Sequence, residues 1–167
     1  MRLSLISVIS VILICLAPSR AQTQDSASVR TVGLSAAIQG SQLDILVPIV
    51  KNHFSLAWAF GFMWMQDGET DIRLGIVPRF FFSRDKVAPY IGGRIGLMWR
   101  NSNTGWSEPD WLIGGAFGGE YFVDQHFSLG IESQVNLTIS NTNSSRFGNP
   151  GKKNINTATA FFATVYF

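Results

Sequence analysis

The sequence predicts an all-β fold, an eight-stranded antiparallel up-and-down transmembrane β-barrel that follows a signal peptide. Three observations predict it. The final residues alternate strictly, with Phe161, Ala163, Val165 and Phe167 on one face and Ala160, Phe162, Thr164 and Tyr166 on the other. An apolar leader opens the chain. Between the two, alternating segments are joined by connections that are short on one side and long on the other. Because the last strand runs to Phe167, no tail or further domain is expected after it.

The leader has the three parts of a secretory signal. Arg2 supplies the positive start, residues 3–17 form the apolar run, and Ala21 offers a small residue before Gln22. The run is too short to cross a bilayer as a helix, which takes about 20 residues. Cys15 lies inside it without a small-residue lipobox, so lipoprotein processing is not expected. The expected organisation is a signal peptide at 1–21, a polar lead-in at 22–29 and a barrel at 30–167.

Cleavage removes Arg2, Arg20 and the only cysteine, which lowers the 13 Lys+Arg of the whole chain to 11, equal to the 11 Asp+Glu. A chain of zero net charge has no basic face for nucleic acid. Without a thiol it has no disulfide or thiolate chemistry. Residues 22–167 are the length of one domain. No stretch within them reaches the roughly 18 apolar residues of a membrane helix.

Turn signals divide the barrel into segments at 30–39, 43–50, 53–65, 70–83, 87–100, 110–123, 126–140 and 155–167. The second is short and contains Pro48. Connections after the second, fourth and sixth are tight, around 51–52, 83–86 and 124–125. Those after the first, third, fifth and seventh lengthen along the chain, ending with 101–109 and 141–154, rich in Asn, Ser, Gly and Pro. This asymmetry puts the tight turns and both termini on the periplasmic side. The stretches 52–56 (Asn-His-Phe-Ser-Leu) and 125–129 (Gln-His-Phe-Ser-Leu) echo each other, and each opens a strand leaving a tight turn.

Residue type decides which face is outside. In the third segment Phe54, Leu56, Trp58, Phe60, Phe62 and Trp64 alternate with Ser55, Ala57, Ala59, Gly61, Met63 and Met65. The fifth and seventh segments repeat the contrast of a large apolar face and a small one bearing occasional charges. A water-exposed face would carry lysine, yet all four lysines fall in expected turns and loops. Eight strands enclose an interior only just wide enough for side chains, which suits the small face. The apolar face therefore meets lipid. Its aromatics form two girdles, with Trp64, Trp99 and Trp111 at the extracellular ends and Phe54, Phe82, Tyr121 and Phe127 at the periplasmic ends.

By parity, Asp44, Asp71, Arg73, Arg79, Arg94, Arg100, Asp110, Glu120 and Glu132 point inward. Charges in so narrow a space need partners. Counting from the turns pairs Arg79 with Glu120 across Gly92 and Arg94 with Glu132, and clusters Asp71, Arg100 and Asp110 at the extracellular rim. A salt-bridged plug is the structural reading, and an ion or proton path is the functional alternative.

The His-x-Ser pattern at His126 and Ser128, with Glu132 nearby, also occurs in outer-membrane lipid A deacylases. It recurs here at His53 and Ser55, where a shared strand start explains both, so no catalytic residue is assigned. Two distant histidines make no metal site, and no cofactor is expected. The glycine pairs at 92–93, 114–115 and 118–119 lack a following helix and serve barrel curvature and close packing.

The chain resembles the OmpA/OmpX-like small outer-membrane β-barrels. The residues that carry this are 88–93 (Ala-Pro-Tyr-Ile-Gly-Gly), 118–122 (Gly-Gly-Glu-Tyr-Phe), 126–132 (His-Phe-Ser-Leu-Gly-Ile-Glu) and 165–167 (Val-Tyr-Phe). The resemblance implies integral residence in the bacterial outer membrane, contact with its lipid and lipopolysaccharide, and delivery by the barrel-assembly machinery. It implies that the last strand, with Phe161, Val165, Tyr166 and Phe167, is the assembly signal. It names no surface partner. Three roles follow as expectations: a non-enzymatic structural or surface-interaction barrel first, a narrow porin-like channel second, and a lipid-modifying enzyme last.

Overall fold

The computed structural model describes residues 32–40, 42–64, 69–102, 105–144 and 150–167. The expected signal peptide and lead-in lie outside the described residues, as does Met65. All regular structure among the described residues is β: β1 (Gly33–Gln39), β2 (Gln42–Lys51), β3 (Phe54–Trp64), β4 (Thr70–Phe81), β5 (Val87–Ser102), β6 (Gly105–Trp106), β7 (Asp110–Phe122), β8 (Phe127–Ile139) and β9 (Lys153–Tyr166). Each long strand pairs antiparallel with the next, and β1 also pairs with β9. The eight long strands thus close on themselves, as predicted, and no long strand is left with a bare edge.

The two-residue β6 was not expected. Strand β5 runs past the expected end at 100 and returns as a hairpin, with Asn101 opposite Trp106 and Ser102 opposite Gly105. Gly105 makes the return possible with a φ of 105°, which other residues rarely adopt. Lys51 and Lys153, expected in connections, instead occupy the last position of β2 and the first of β9.

The faces fall as residue type indicated. Leu34, Ile38, Trp58, Phe60, Ile95, Phe117, Ile131, Val135 and Phe161 are exposed on the outer wall. Aromatics are not confined to two girdles, because Trp58, Phe60 and Phe117 belong to the middle of the wall and Trp58 is 61% exposed. Inside, the lumen has two halves. Val50, Phe81, Ala88, Tyr90, Phe122, Phe162 and Tyr166 pack together toward the tight turns. Toward the loops polar and charged side chains, with apolar ones among them, line a space that is not filled.

Two prolines interrupt the wall. The β1–β2 ladder runs from Gln39–Gln42 to Ser35–Leu46 and resumes only at a bridge between Val32 and Ile49. Pro48, with no N–H to give, sits in the gap. The β4–β5 ladder likewise skips from Ile76–Ile95 to Arg79–Gly92, with Pro78 in the gap.

Glycines admit the large inward rings. Gly130 lies opposite Phe162, whose ring occupies the space above it, so that a Cβ on Gly130 falls 2.0 Å from the ring's Cζ. The ring cannot retreat, because Tyr90 and the Arg79 guanidinium lie against it at 6.5 Å and 4.7 Å. Gly130→Ala is expected to lower stability by about 1–3 kcal/mol through overpacking. Urea unfolding of the folded barrel measures it, and an unchanged midpoint refutes the fit.

Candidate functional site

The lumen holds every charge that parity placed inward, but the pairing differs from the turn-counted one. Arg79 pairs with Glu132, not Glu120: its Nε and Nη2 donate to Glu132 Oε2 at 3.1 and 2.9 Å. Arg94 pairs with Asp44, not Glu132, at 3.0 Å. Strand stagger is the reason. The hydrogen-bonded row through Arg79 passes Gly92 and Ala116 and reaches β8 at Gln134, two positions from Glu132. It crosses β7 four positions from Glu120. Rows in a barrel slant, so equal distance from the turns is not equal height.

Reach over a glycine to the next strand but one does occur, at a position not foreseen. Arg73, Gly61 and Asp44 lie in one row across β4, β3 and β2. Arg73 Nη2 is 3.1 Å from Asp44 Oδ1 above the bare Gly61. Asp44 therefore takes Arg73 from its own side of the barrel and Arg94 from across the lumen. Arg73 also donates to Gln42, and Arg94 donates to Gln134 at 2.7 Å and Gln39 at 3.4 Å.

At the loop end, Asp71 and Arg100 face each other on β4 and β5, with Arg100 Nε donating to Asp71 Oδ1 at 3.0 Å. Glu69 adds a carboxylate 3.5 Å from Arg100 Nη1. Asp110 joins this rim by tying down the last loop, accepting from Asn141 N at 2.8 Å and Ser144 Oγ at 2.7 Å. At this rim Asp71 thus pairs with Arg100, and Asp110 anchors the last long loop.

Below these tiers the lumen closes. The Arg79 guanidinium lies 4.8 Å from the Tyr90 ring centre and 4.7 Å from that of Phe162, while Glu132 fixes its edge. Such cation–π contacts gain strength when desolvated. Tyr90 OH donates to the same Glu132 at 2.7 Å, and Gln134 Nε2 donates to its other oxygen at 2.7 Å. Nearer the turns, Glu120 is buried and accepts from Ser128 and from Tyr166 OH, the latter at 2.6 Å. It forms no ion pair among the described residues. Arg84 covers this end, 5.3 Å and 5.8 Å from the Phe81 and Phe122 ring centres.

Sequence reasoning missed the neutral partners, namely Tyr90, Tyr166, Gln39, Gln42, Gln134 and Asn136. Their signal was the same inward parity that marked the charges. Ser128 is engaged by Glu120, while His126 lies exposed in the turn, where Asp124 accepts from its backbone N–H at 2.6 Å. The His53 ring bonds the carbonyl of Phe81 at 2.9 Å. Among the described residues no cluster of His, Cys, Asp or Glu is arranged to hold a metal. The expected assembly residues divide by face, with Phe161, Val165 and Phe167 outward and Tyr166 inward.

Glu132→Ala is expected to destabilise the barrel by on the order of 3–5 kcal/mol, because it leaves the Arg79 charge buried without its carboxylate. Comparing urea midpoints of Glu132→Ala and the double variant with Arg79→Leu tests this. If the double variant recovers none of the loss, the pairing is not what holds the tier.

No protein-family profile and no curated protein sequence matches the chain. Solved structures do match. The crystal structure of Neisserial surface protein A (NspA) aligns with a TM-score of 0.57 at 16% identity, covering 81% of this chain and 93% of that one. The N-terminal β-barrel domain of Pseudomonas aeruginosa OprF aligns with a TM-score of 0.56 at 9% identity, covering 81% and 95%. At these identities the likeness is one of fold, and this chain has the fold of the small eight-stranded outer-membrane barrels.

Proposed function

We propose that this protein is an integral β-barrel of the bacterial outer membrane with a structural or surface-interaction role, and that it neither conducts nor catalyses. The observation that carries this reading is the tier formed by Arg79, Glu132, Tyr90 and Phe162. A guanidinium packed against two rings and bonded to a carboxylate occupies the lumen at that height, and the rings of Phe81, Phe122 and Tyr166 pack below it. A porin-like role needs a continuous wet path, and eight strands leave little room around such a plug.

The outer wall supports residence in lipid. Exposed leucine, isoleucine, valine and aromatic side chains surround the barrel, a surface that water does not tolerate over so large an area. Lipid and lipopolysaccharide are the partners of that wall, and the longer loops are the surface offered to other partners. The barrel-assembly machinery is the partner during biogenesis, reading the last strand at Phe161, Val165, Tyr166 and Phe167. Against catalysis stands the engagement of Ser128 by buried Glu120, which leaves the hydroxyl no free approach to a substrate.

Two measurements test the proposal. Purified barrel in planar bilayers is expected to give no resolved conductance steps, and steady single-channel openings overturn the sealed lumen. Phe167→Ala is expected to reduce heat-modifiable barrel in outer-membrane fractions severalfold, and wild-type levels refute the role of that residue in assembly.

A further inference from the structure

Every long strand has a neighbour on both sides, but β9 does not have one along its whole length. Its ladder to β8 runs up to Ile139–Lys153, while its ladder to β1 ends at Ile38–Phe161. Slant accounts for little of the difference. The row through Ala36 passes Ile45, Phe60, Leu74, Leu97, Trp111 and Ile139 and returns to β9 at Lys153. It began beside Ala163, so a full circuit climbs ten positions, little more than one for each of the eight long strands. The β1–β2 hairpin turns at Gly40, which the register sets beside Thr159. With strands tilted by about 40°, the turn lies on the order of 10 Å below Lys153. Lys153 shares its row with Trp111, at the extracellular end of β7. Such aromatics mark the membrane interface, so the turn sits at the depth of acyl chains and the wall above it has a notch.

Three kinds of group border the notch in vertical order. At the top, Lys152 and Lys153 are exposed, with Lys153 on the outer face. Among the described residues they are the only cations on the outer surface at the loop end, because Arg73, Arg94 and Arg100 turn inward and are paired. Below them runs a strip of bare backbone. Tyr166 N donates to His126 on the β8 side and Phe167 N to Val32 on the β1 side. Odd-numbered residues of β9 therefore direct their N–H and C=O toward β1. Beside Ile155 and Thr157 there is no β1 to meet, and among the described residues nothing else pairs with their backbone on that side. The Thr157 side chain is exposed on the outer face next to them. At the bottom, Ile38 and Phe161 are 58% and 59% exposed. Hydrocarbon satisfies neither an N–H nor a C=O, so what fills the notch must carry hydrogen-bonding groups below its charge.

We propose that this notch seats one phosphorylated glycolipid of the outer leaflet. Its phosphate meets Lys152 and Lys153. The amide and hydroxyl groups that join its acyl chains to the sugar meet the Ile155–Thr157 edge, and an acyl chain covers Ile38 and Phe161. A phosphorylated glycerol lipid matches the lysines and the apolar floor but brings no N–H to the edge. The inference rests on residence in the outer membrane and adds to it a seat and a lipid class.

Native mass spectrometry and amide NMR of the mature barrel in non-ionic micelles test the proposal, with lipid A, dephosphorylated lipid A and phosphatidate as probes. Lipid A is expected to bind saturably, one per barrel, and about tenfold or more tightly than either other lipid. It is expected to shift the Ile155 and Thr157 amide signals. Replacing both lysines, Lys152→Gln with Lys153→Gln, is expected to bring lipid A down to the level of its dephosphorylated form. A gel shift of unheated samples checks that this variant is folded, and the comparison of probes on the unaltered protein decides the matter even where it is not. Phosphatidate bound as tightly as lipid A, or amide signals that lipid A leaves unmoved, overturns the seat. Concentrating the protein without lipid until the same signals shift assigns the edge to a second copy and overturns it too. Residence in the outer membrane is read separately, from heat-modifiable barrel in membrane fractions, so the seat can fail while that reading stands.

Discussion

The constraint behind the whole architecture is the backbone's need for hydrogen bonds in surroundings that offer none. A strand bathed in hydrocarbon must give every N–H and C=O a partner from the same chain, and an open sheet always leaves two edges unmet. Pairing β1 with β9 removes both. Once the ladder closes on eight strands, the inner radius is fixed, and the inward side chains must fill a narrow cylinder. Glycine, alanine and serine at many inward positions are thus a consequence of closure. So is the placement of Phe162 above Gly130 and of the Arg73–Asp44 pair above Gly61.

The same narrowness explains the stacking of the lumen into tiers. A charge cannot remain buried alone, so each arginine meets a carboxylate, and each such tier is completed by amides or hydroxyls. The tiers differ in construction. At the Arg79 level aromatic rings exclude water. At the Arg73 and Arg94 level one carboxylate serves two arginines among glutamines, and space remains. One end of the lumen is closely packed and the other keeps free space because bulky rings cluster on one side of Arg79.

Strand positions, faces and the closed barrel were legible in the sequence because alternation and turn chemistry are local. The eight expected segments match the eight long strands to within a few residues at each end. Pairing was not legible, because stagger between strands is set by all the ladders together. Arg79 and Glu120 seemed level when counted from their turns, yet the row through Arg79 crosses β7 at Ala116. The rule that an arginine reaches over glycine held at Gly61, where the sequence offered no reason to prefer it over Gly92. Strand β6 escaped notice because two residues show no period. The aromatic girdle was drawn too neatly, since Trp58 and Phe60 alternate outward as regularly as the residues at the strand ends.

The interruptions at Pro48 and Pro78 are joined by one slanting row of the sheet. The row through Pro48 runs to Ala57 on β3 and then to Val77 on β4, beside Pro78. Strands β2, β3 and β4 therefore form a panel whose ladder to its neighbour is interrupted once along each of its two borders. Each gap removes ladder hydrogen bonds that the unbroken borders keep. Inside the panel both ladders run unbroken, from Leu43–Phe62 to Lys51–Phe54 and from Phe54–Phe80 to Trp64–Thr70, so the panel is tied to itself more continuously than to the other five strands.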